Sequence, residues 1–307
     1  MHVAFITHSD CLKHELDVYH PEKPARLLAI QDRLIASGLN ILLHHYDAPL
    51  ATREQLLRVH DEAYVDKITR LTPTEGLVWL EEDDTGMNPY TLKAALRAAG
   101  AVVEAVDLVL SDEVGHAFCS VRPPGHHAER DRAMGFCIFN NIAVGAAHAL
   151  DIHGIKRIVI VDFDVHHGNG TEDIFKDEPR VLFCSSFQQS LYPDSITATV
   201  SDHILKLPLP AGTDGKAFRE AVEKIWLDRI DTFEPELVMI SAGFDAHSED
   251  HMAHFNLVEA DYRWITEKLR NIANKHCSGR IVSTLEGGYN LSALGRSVAT
   301  HIDALIG

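Results

Sequence analysis

The chain has 307 residues, 46% of them hydrophobic, which is ample for a large core. Its formal net charge of −17 argues against sequence-independent nucleic-acid binding, which needs Lys and Arg to neutralise phosphates, and is compatible with cationic ligands. Twenty histidines raise the weight of metal and proton-transfer chemistry.

In chain order, His2 to Thr7 reads as a first strand, and a polar loop from His8 to Pro24 contains His20-Pro21-Glu22. Leu27, Leu28, Ile30, Leu34 and Ile35 recur at helical spacing over Ala25–Ser37, closed by Gly38. A short strand is expected at Ile41–Leu43 and a helix from Thr52 to about Leu71. The loop Thr72–Pro89, acidic at Glu81 to Asp84, precedes an Ala-rich helix over Tyr90–Ser111. Ala117–Ser120 predicts a strand that runs into Val121-Arg122-Pro123-Pro124-Gly125-His126-His127, where prolines and glycine mark a rigid loop. Asn140 and Asn141 cap a helix over Ile142–Leu150. Ile158–Val161, Val181–Ser185 and Leu237–Ile240 are apolar runs that predict strands buried on both faces. A further strand is expected at Arg280–Leu285, a loop at Phe187–Thr199, and helices at Gly215–Phe233, at Val258–Lys275 and after Tyr289.

Strands and helices alternate from end to end, which gives an α/β doubly wound fold with a central, mostly parallel sheet flanked by helices on both faces. No repeat or linker interrupts it, so residues 1–307 are expected to form one domain. Cys11, Cys119, Cys137, Cys184 and Cys277 are scattered, odd in number and without a Cys-x-x-Cys pair, as suits reduced thiols in the cytoplasm. The start, MHVAFITHSD, is too short an apolar run for a signal peptide, and no run spans a bilayer, so no membrane partner is expected.

Four polar clusters follow four predicted strands. Right-handed crossovers between parallel strands bring such ends to one sheet edge, where ligands bind in these folds. The central cluster lies in Ile158–Thr171, IVIVDFDVHHGNGT. Asp162, Asp164 and His166 are spaced by two and project together from extended backbone; Gly168, Asn169 and Gly170 supply a tight turn, with glycine allowing positive φ. Asp164 and His166 with Asp245 are hard or borderline donors without sulfur, and three protein ligands with an open position are what a catalytic zinc takes. Singly, Asp-x-Asp is a turn former and Asp245 a helix cap. His126 and His127 diverge in extended backbone and can share one reaction, one ring taking a proton and the other holding one, with Asp162 orienting a ring. Taken alone, each is a loop histidine. Tyr289, after Gly287 and Gly288, presents a phenol that can donate to a developing oxyanion; the bare motif also fits an ordinary turn.

The segments RPPGHHAERDRAMGFCIFNN, VDFDVHHGNGT, SAGFDAH and LEGGY, in this order and with HPEKPARL near the start, resemble the zinc-dependent histone deacetylase family. The likeness is strongest to its class II and bacterial histone-deacetylase-like branch, which includes acetylpolyamine amidohydrolases, and it spans essentially the whole chain. It implies the arginase/deacetylase fold and hydrolysis of an acetylated amine to acetate and free amine. By position it implies Asp164, His166 and Asp245 as ligands of one catalytic Zn2+, His126 and His127 as the acid/base pair, and Asp162 behind His126. Asn169 stands behind the second histidine, where class I members have aspartate and class II members asparagine. Tyr289 would bond the scissile carbonyl oxygen; Gly135, Phe136 and Tyr192 would line the substrate channel. A monovalent cation, K+, would take Asp162, Asp164, His166 and Ser185.

The resemblance also bears on substrate. Glu249-Asp250-His251-Met252 departs from the Gly-Asp-Pro-Leu pattern, and Met252 falls where a polyamine-deacetylating relative has an acidic gatekeeper, which leans toward acetyl-lysine over acetylated small amines. Glu249 and Asp250 are acids nearby, and Asp84 sits where family members hold the substrate backbone. The alternatives are an acetylpolyamine deacetylase, an arginase/agmatinase-type enzyme with two manganese ions, and a non-catalytic binder.

Overall fold

The computed structural model describes residues 2–80, 84–193 and 201–307. Eight strands form one sheet: β1 (Val3–Thr7), β2 (Leu43–Asp47), β5 (His116–Cys119), β6 (Ile158–Asp162), β7 (Val181–Gln188), β8 (Ile204–Leu209), β9 (Leu237–Ala242) and β10 (Ile281–Leu285). They lie in the order β2-β1-β5-β10-β9-β6-β7-β8, and every pairing is parallel. The helices are α1 (Ala25–Ala36), α2 (Arg53–Leu57), α3 (Glu62–Leu71), α4 (Thr91–Leu110), α5 (Asn141–Asp151), α6 (Asn169–Phe175), α7 (Gly215–Val222), α8 (Asp228–Phe233), α9 (Glu259–His276) and α10 (Leu291–Ile306). A small antiparallel pair, β3 (Val78–Trp79) and β4 (Gly86–Met87), stands apart.

The strand order explains the layers. Crossovers that step toward β8 carry α4, α5 and α6, and those that step toward β2 carry α1, α7, α8 and α9. Right-handedness puts the two sets on opposite faces. Accordingly α4 packs on α5, and α10 packs between α1 and α9. Strands β5, β6, β9 and β10 are buried along their whole length, and β6, β9 and β10 carry the β-branched residues such burial favours. Among the described residues no helix is long and apolar enough to cross a membrane, and all five cysteines are free and buried.

Several elements differ from the sequence expectation. The apolar run Ile41–Leu43 ends a 3-10 turn with Ile41 85% exposed, and the second strand is instead the polar edge segment LHHYD. The Thr52–Leu71 helix is two helices. The break holds the buried His60, whose Nδ1 bonds Glu129 O at 3.0 Å while Nε2 accepts from Asn140 N–H at 3.0 Å. The edge strand ILKLPL was hidden by Pro208, which an edge tolerates, and α6 is too short to show periodicity. Residues 81–83 of the acidic loop and 194–199 of the Phe187–Thr199 loop lie outside the described residues.

Gly100, mid-way along α4, tests this packing. A Cβ there would stand 2.1 Å from Pro49 O and 2.7 Å from Ala51 N. Gly100→Ala gains about 1 kcal/mol of helix propensity but overpacks a backbone contact, a cost of ~1–3 kcal/mol. The urea midpoint is expected to fall; a raised midpoint would mean that the contact is soft.

Candidate active site

Strands β5, β10, β9 and β6 are neighbours, and their carboxyl ends are level: Cys119 pairs with Thr284, Leu285 with Ala242, and Ser241 with Asp162. The loops that follow carry the four polar clusters, so the candidate residues converge from four separate segments.

Beyond β6 and β9, Asp164, His166 and Asp245 come together, buried, with one donor atom from each within 4.8 Å of the others. His166 Nδ1 is 3.1 Å from both Asp164 Oδ1 and Asp245 Oδ2. Backbone N–H groups of Gly287 (2.8 Å) and Val165 (3.0 Å) donate to Asp164 Oδ2 and Asp245 Oδ1. The approach requires glycines: a Cβ on Gly243 would lie 1.9 Å from Asp164 Oδ2, and one on Gly287 2.1 Å from Asp245 Oδ2. Burial, with Asp164 beside it, pushes the Asp245 carboxyl up to about 6. Against the opposing effect of burial, the two carboxylates hold the His166 imidazolium up at about 10. Two buried carboxylates and an imidazole with oxygen and nitrogen donors fit a divalent cation, whose charge would offset their mutual repulsion. Asp107, His148 and His153 also cluster, with His153 exposed, and there Arg58 donates to His148 Nδ1 at 3.2 Å.

Asp162 does not join this trio. Its Oδ2 lies 2.9 Å from His126 Nδ1, and its Oδ1 accepts from Asp164 N–H at 3.1 Å. His127 Nδ1 is 2.8 Å from Asn169 Oδ1, and the Asn169 amide donates to Glu129 Oε1 at 2.8 Å. An acceptor on each Nδ1 leaves each Nε2 for the site. The two rings do not diverge as expected from extended backbone: residues 126–127 form a turn, and the rings sit 4.0 Å apart at 43°. Burial opposes charge on His126, but Asp162 and Asp164 outweigh it and hold the imidazolium up at about 10. Burial and the neighbouring His126 and His166 hold His127 well below the usual range. Gly168 and Gly170 are not the positive-φ turn expected. Gly168 has φ −74°, and a Cβ there would strike Asp162 Oδ2 at 2.3 Å, one on Gly170 the Ala128 carbonyl at 2.2 Å.

Asp84, His127, Gly135, Phe136, His166, Tyr192, Met252 and Tyr289 line one cavity of about 280 Å³. Gly135, at φ +56°, passes 2.4 Å from the His127 ring by Cβ position, so only glycine fits there. Tyr192 stands edge-on to His127 at 5.1 Å and Phe136 edge-on to Tyr289 at 5.9 Å. Ser185 pairs with Asp162 across the sheet, and its hydroxyl lies 2.9 Å from His167 Nδ1.

The histone deacetylase domain model matches residues 20–305. The chain belongs to the histone deacetylase family. Its sequence is 39% identical to Histone deacetylase 14, chloroplastic, of Arabidopsis thaliana, over 94% of this chain and 73% of that one. It is 35% identical to the Histone deacetylase-like amidohydrolase of Pseudomonas aeruginosa, over 88% of this chain and 73% of that one. The solved HDA15 HD domain superposes with a TM-score of 0.91 at 32% identity, covering 100% of this chain and 88% of that one. The fold is therefore the arginase/deacetylase type, and membership makes the protein a deacetylase, an amidohydrolase.

The deacetylase site rests on charged residues that sequence reasoning did not assign. Glu286, fully buried, accepts from the N–H groups of Gly125 (2.7 Å) and His126 (3.2 Å) and from Ser241 Oγ (3.1 Å); burial pushes its carboxyl up to about 7. Arg122 grips Glu22 through two bonds of 2.5 and 2.6 Å, and Arg26 adds a third of 3.1 Å. Arg26 also donates to Gly288 O at 2.7 Å and to Glu286 O, and its guanidinium lies 4.9 Å over the Tyr289 ring. The available signal was the pairing of an acid and a base in HPEKPARL, where Glu22 lies just ahead of the helix that carries Arg26.

Glu22→Gln would leave two buried guanidinium groups short of a counter-charge, a loss of ~3–5 kcal/mol. Burial disfavours the Glu22 carboxylate, but Arg122, His14 and Arg26 hold its pKa well below the usual range. A depressed folded pKa gives stability that is complete above the unfolded value of about 4.3 and is lost as pH falls further. Urea denaturation at pH 7 should show the deficit, and it should shrink on acidification below about pH 4. A difference under about 1 kcal/mol at pH 7 would contradict it.

Proposed function

We propose that the protein is a zinc-dependent deacetylase that removes acetyl groups from lysine side chains of peptides or proteins, and that residues 1–307 act as one domain around the eight-stranded sheet. One observation carries the reading: a single cavity is lined together by His166 of the candidate metal trio, by His127, by Tyr289 and by aromatic walls. Asp164, His166 and Asp245 would hold the zinc, which when bound supplies Lewis acidity that polarises a carbonyl and acidifies water. Phe136 and Tyr192 flank a slot suited to a linear acyl-amine, and Asp84 at its rim would hold the substrate backbone.

His127 lines the cavity and its Nε2 has no hydrogen-bond partner among the described residues, so it takes the proton from the attacking water and returns it to the departing amine nitrogen. His126, paired with Asp162, stays imidazolium beside it and holds positive charge near the oxyanion. The Tyr289 hydroxyl donates to the carbonyl oxygen as it gains charge. The bond to nitrogen breaks, and acetate and a free amine leave. A K+ ion would take Asp162, Asp164, His166 and Ser185, two of which pair across β6 and β7. Five free, buried cysteines suit a reducing compartment, and we place the protein in the cytoplasm.

Met252, half-buried and apolar, is the feature that favours acetyl-lysine over acetylated polyamines. The human Polyamine deacetylase HDAC10, 34% identical over 100% of this chain and 48% of that one, marks the other reading.

Tyr289→Phe should lower kcat by about 10² or more while the protein keeps one zinc per chain; full activity would remove Tyr289 from the mechanism, and two manganese ions would favour a ureohydrolase. Acetyl-lysine peptides should exceed acetylputrescine and acetylspermine in kcat/KM, and the reverse order would reassign the substrate.

A further inference from the structure

The turn that presents Tyr289 and the loop that carries Met252 leave different strands, β10 and β9, and one carboxylate ties them together. Asp250, 8% exposed, accepts at Oδ2 from the backbone N–H of Tyr289 (2.7 Å) and of Asn290 (2.9 Å), and at Oδ1 from the N–H of Met252 (3.0 Å). The loop is itself anchored. Asp250 N–H donates to His247 O at 2.8 Å, Asn290 Nδ2 donates to Glu249 O at 3.0 Å, and Arg296 reaches Glu249 Oε1 at 2.6 Å. The Gly-Gly-Tyr turn needs such holding. Gly287 and Gly288 lack side chains, Gly288 has φ +119°, and the segment is also gripped by Arg26 at the Gly288 carbonyl, by Asp164 at the Gly287 N–H and by the Phe244 N–H at the Gly287 carbonyl. Tyrosine has only two side-chain torsions, and the ring is packed between Arg26 and Phe136, so the hydroxyl follows the backbone of residue 289.

We propose that Asp250 is a positioning residue that fixes the Tyr289 hydroxyl in register with Met252, so that the carbonyl donor and the contact to the substrate's stem move as one unit. This rests on the reading of Tyr289 as the carbonyl donor. The carboxylate suits the task because it can accept three N–H groups at once, which an amide cannot. Displacing a donor by about 1 Å costs on the order of 10² in rate.

The test is a double-mutant cycle with steady-state kinetics on an acetyl-lysine peptide and metal content measured for each variant. Asp250→Ala should lower kcat by about 10- to 100-fold with zinc retained. In the Tyr289→Phe background the same change should cost less than about threefold, because the unit is already broken. Asp250→Asn separates the two arms. Its amide oxygen can still accept from Tyr289 and Asn290, while its NH2 group faces the Met252 N–H, donor to donor. It should hold kcat within about threefold of the parent and raise KM. If the losses from Asp250→Ala and Tyr289→Phe multiply, or the Asn variant loses kcat as the Ala variant does, Asp250 serves stability alone and the proposal fails. If the Ala variant does not fold, the Asn variant decides: raised KM with kcat kept supports the proposal, and any other pattern overturns it. Full activity of Tyr289→Phe sinks the reading of Tyr289 and the proposal with it, whereas multiplying losses remove Asp250 and leave Tyr289 in place.

Discussion

The structure is governed by the cost of gathering negative charge at a buried sheet edge. Asp162, Asp164, Asp245 and Glu286 are each at most 1% exposed and leave adjacent strands. Like charges in such surroundings are tolerated only when each is met by hydrogen bonds, a cation or a proton. Each carboxylate here has its own answer. Asp162 meets an imidazolium and an N–H group. Asp164 and Asp245 meet backbone N–H groups and share His166. Glu286 meets two N–H groups and a hydroxyl, and burial moves it toward the neutral form. The same arrangement that makes these charges tolerable makes a divalent cation welcome.

The two histidines show how small differences in partner set different states. The rings are 4.0 Å apart and equally buried, yet one leans on a carboxylate and the other on an amide. A carboxylate favours the imidazolium, while an amide oxygen fixes the tautomer without adding charge. One pair of rings can therefore keep one proton in place and leave the other ring neutral, with a nitrogen open to accept one.

What the sequence disclosed follows from locality. Buried parallel strands announce themselves as continuous β-branched runs, and the residues just past them were legible as a set because parallel topology gathers those ends. The candidate trio, the histidine pair and Tyr289 were singled out in this way, and the channel residues through the family's likeness; of these, His166, His127, Tyr289 and the channel residues line one cavity. Features decided by distant partners were not legible. His60 breaks a helical pattern because it bonds residues 129 and 140. Gly168 and Gly170 looked like turn formers but are dictated by what lies across from them. Asp250 and Glu286 have ordinary local context, and the contacts that tie them to the site lie 39 or more residues away.

The guanidinium of Arg26 bonds the carbonyl of Gly288, 262 residues later, and so joins the two ends of the chain at the active centre. During synthesis this arginine and its partner Glu22 leave the ribosome long before the glycine turn exists. The last strand must then insert between β5 and β9, which are already made. Completion of the site is thus a late event in biogenesis, and a nascent chain stalled before β10 would carry an exposed seam in the middle of its sheet, the kind of surface on which chaperones act.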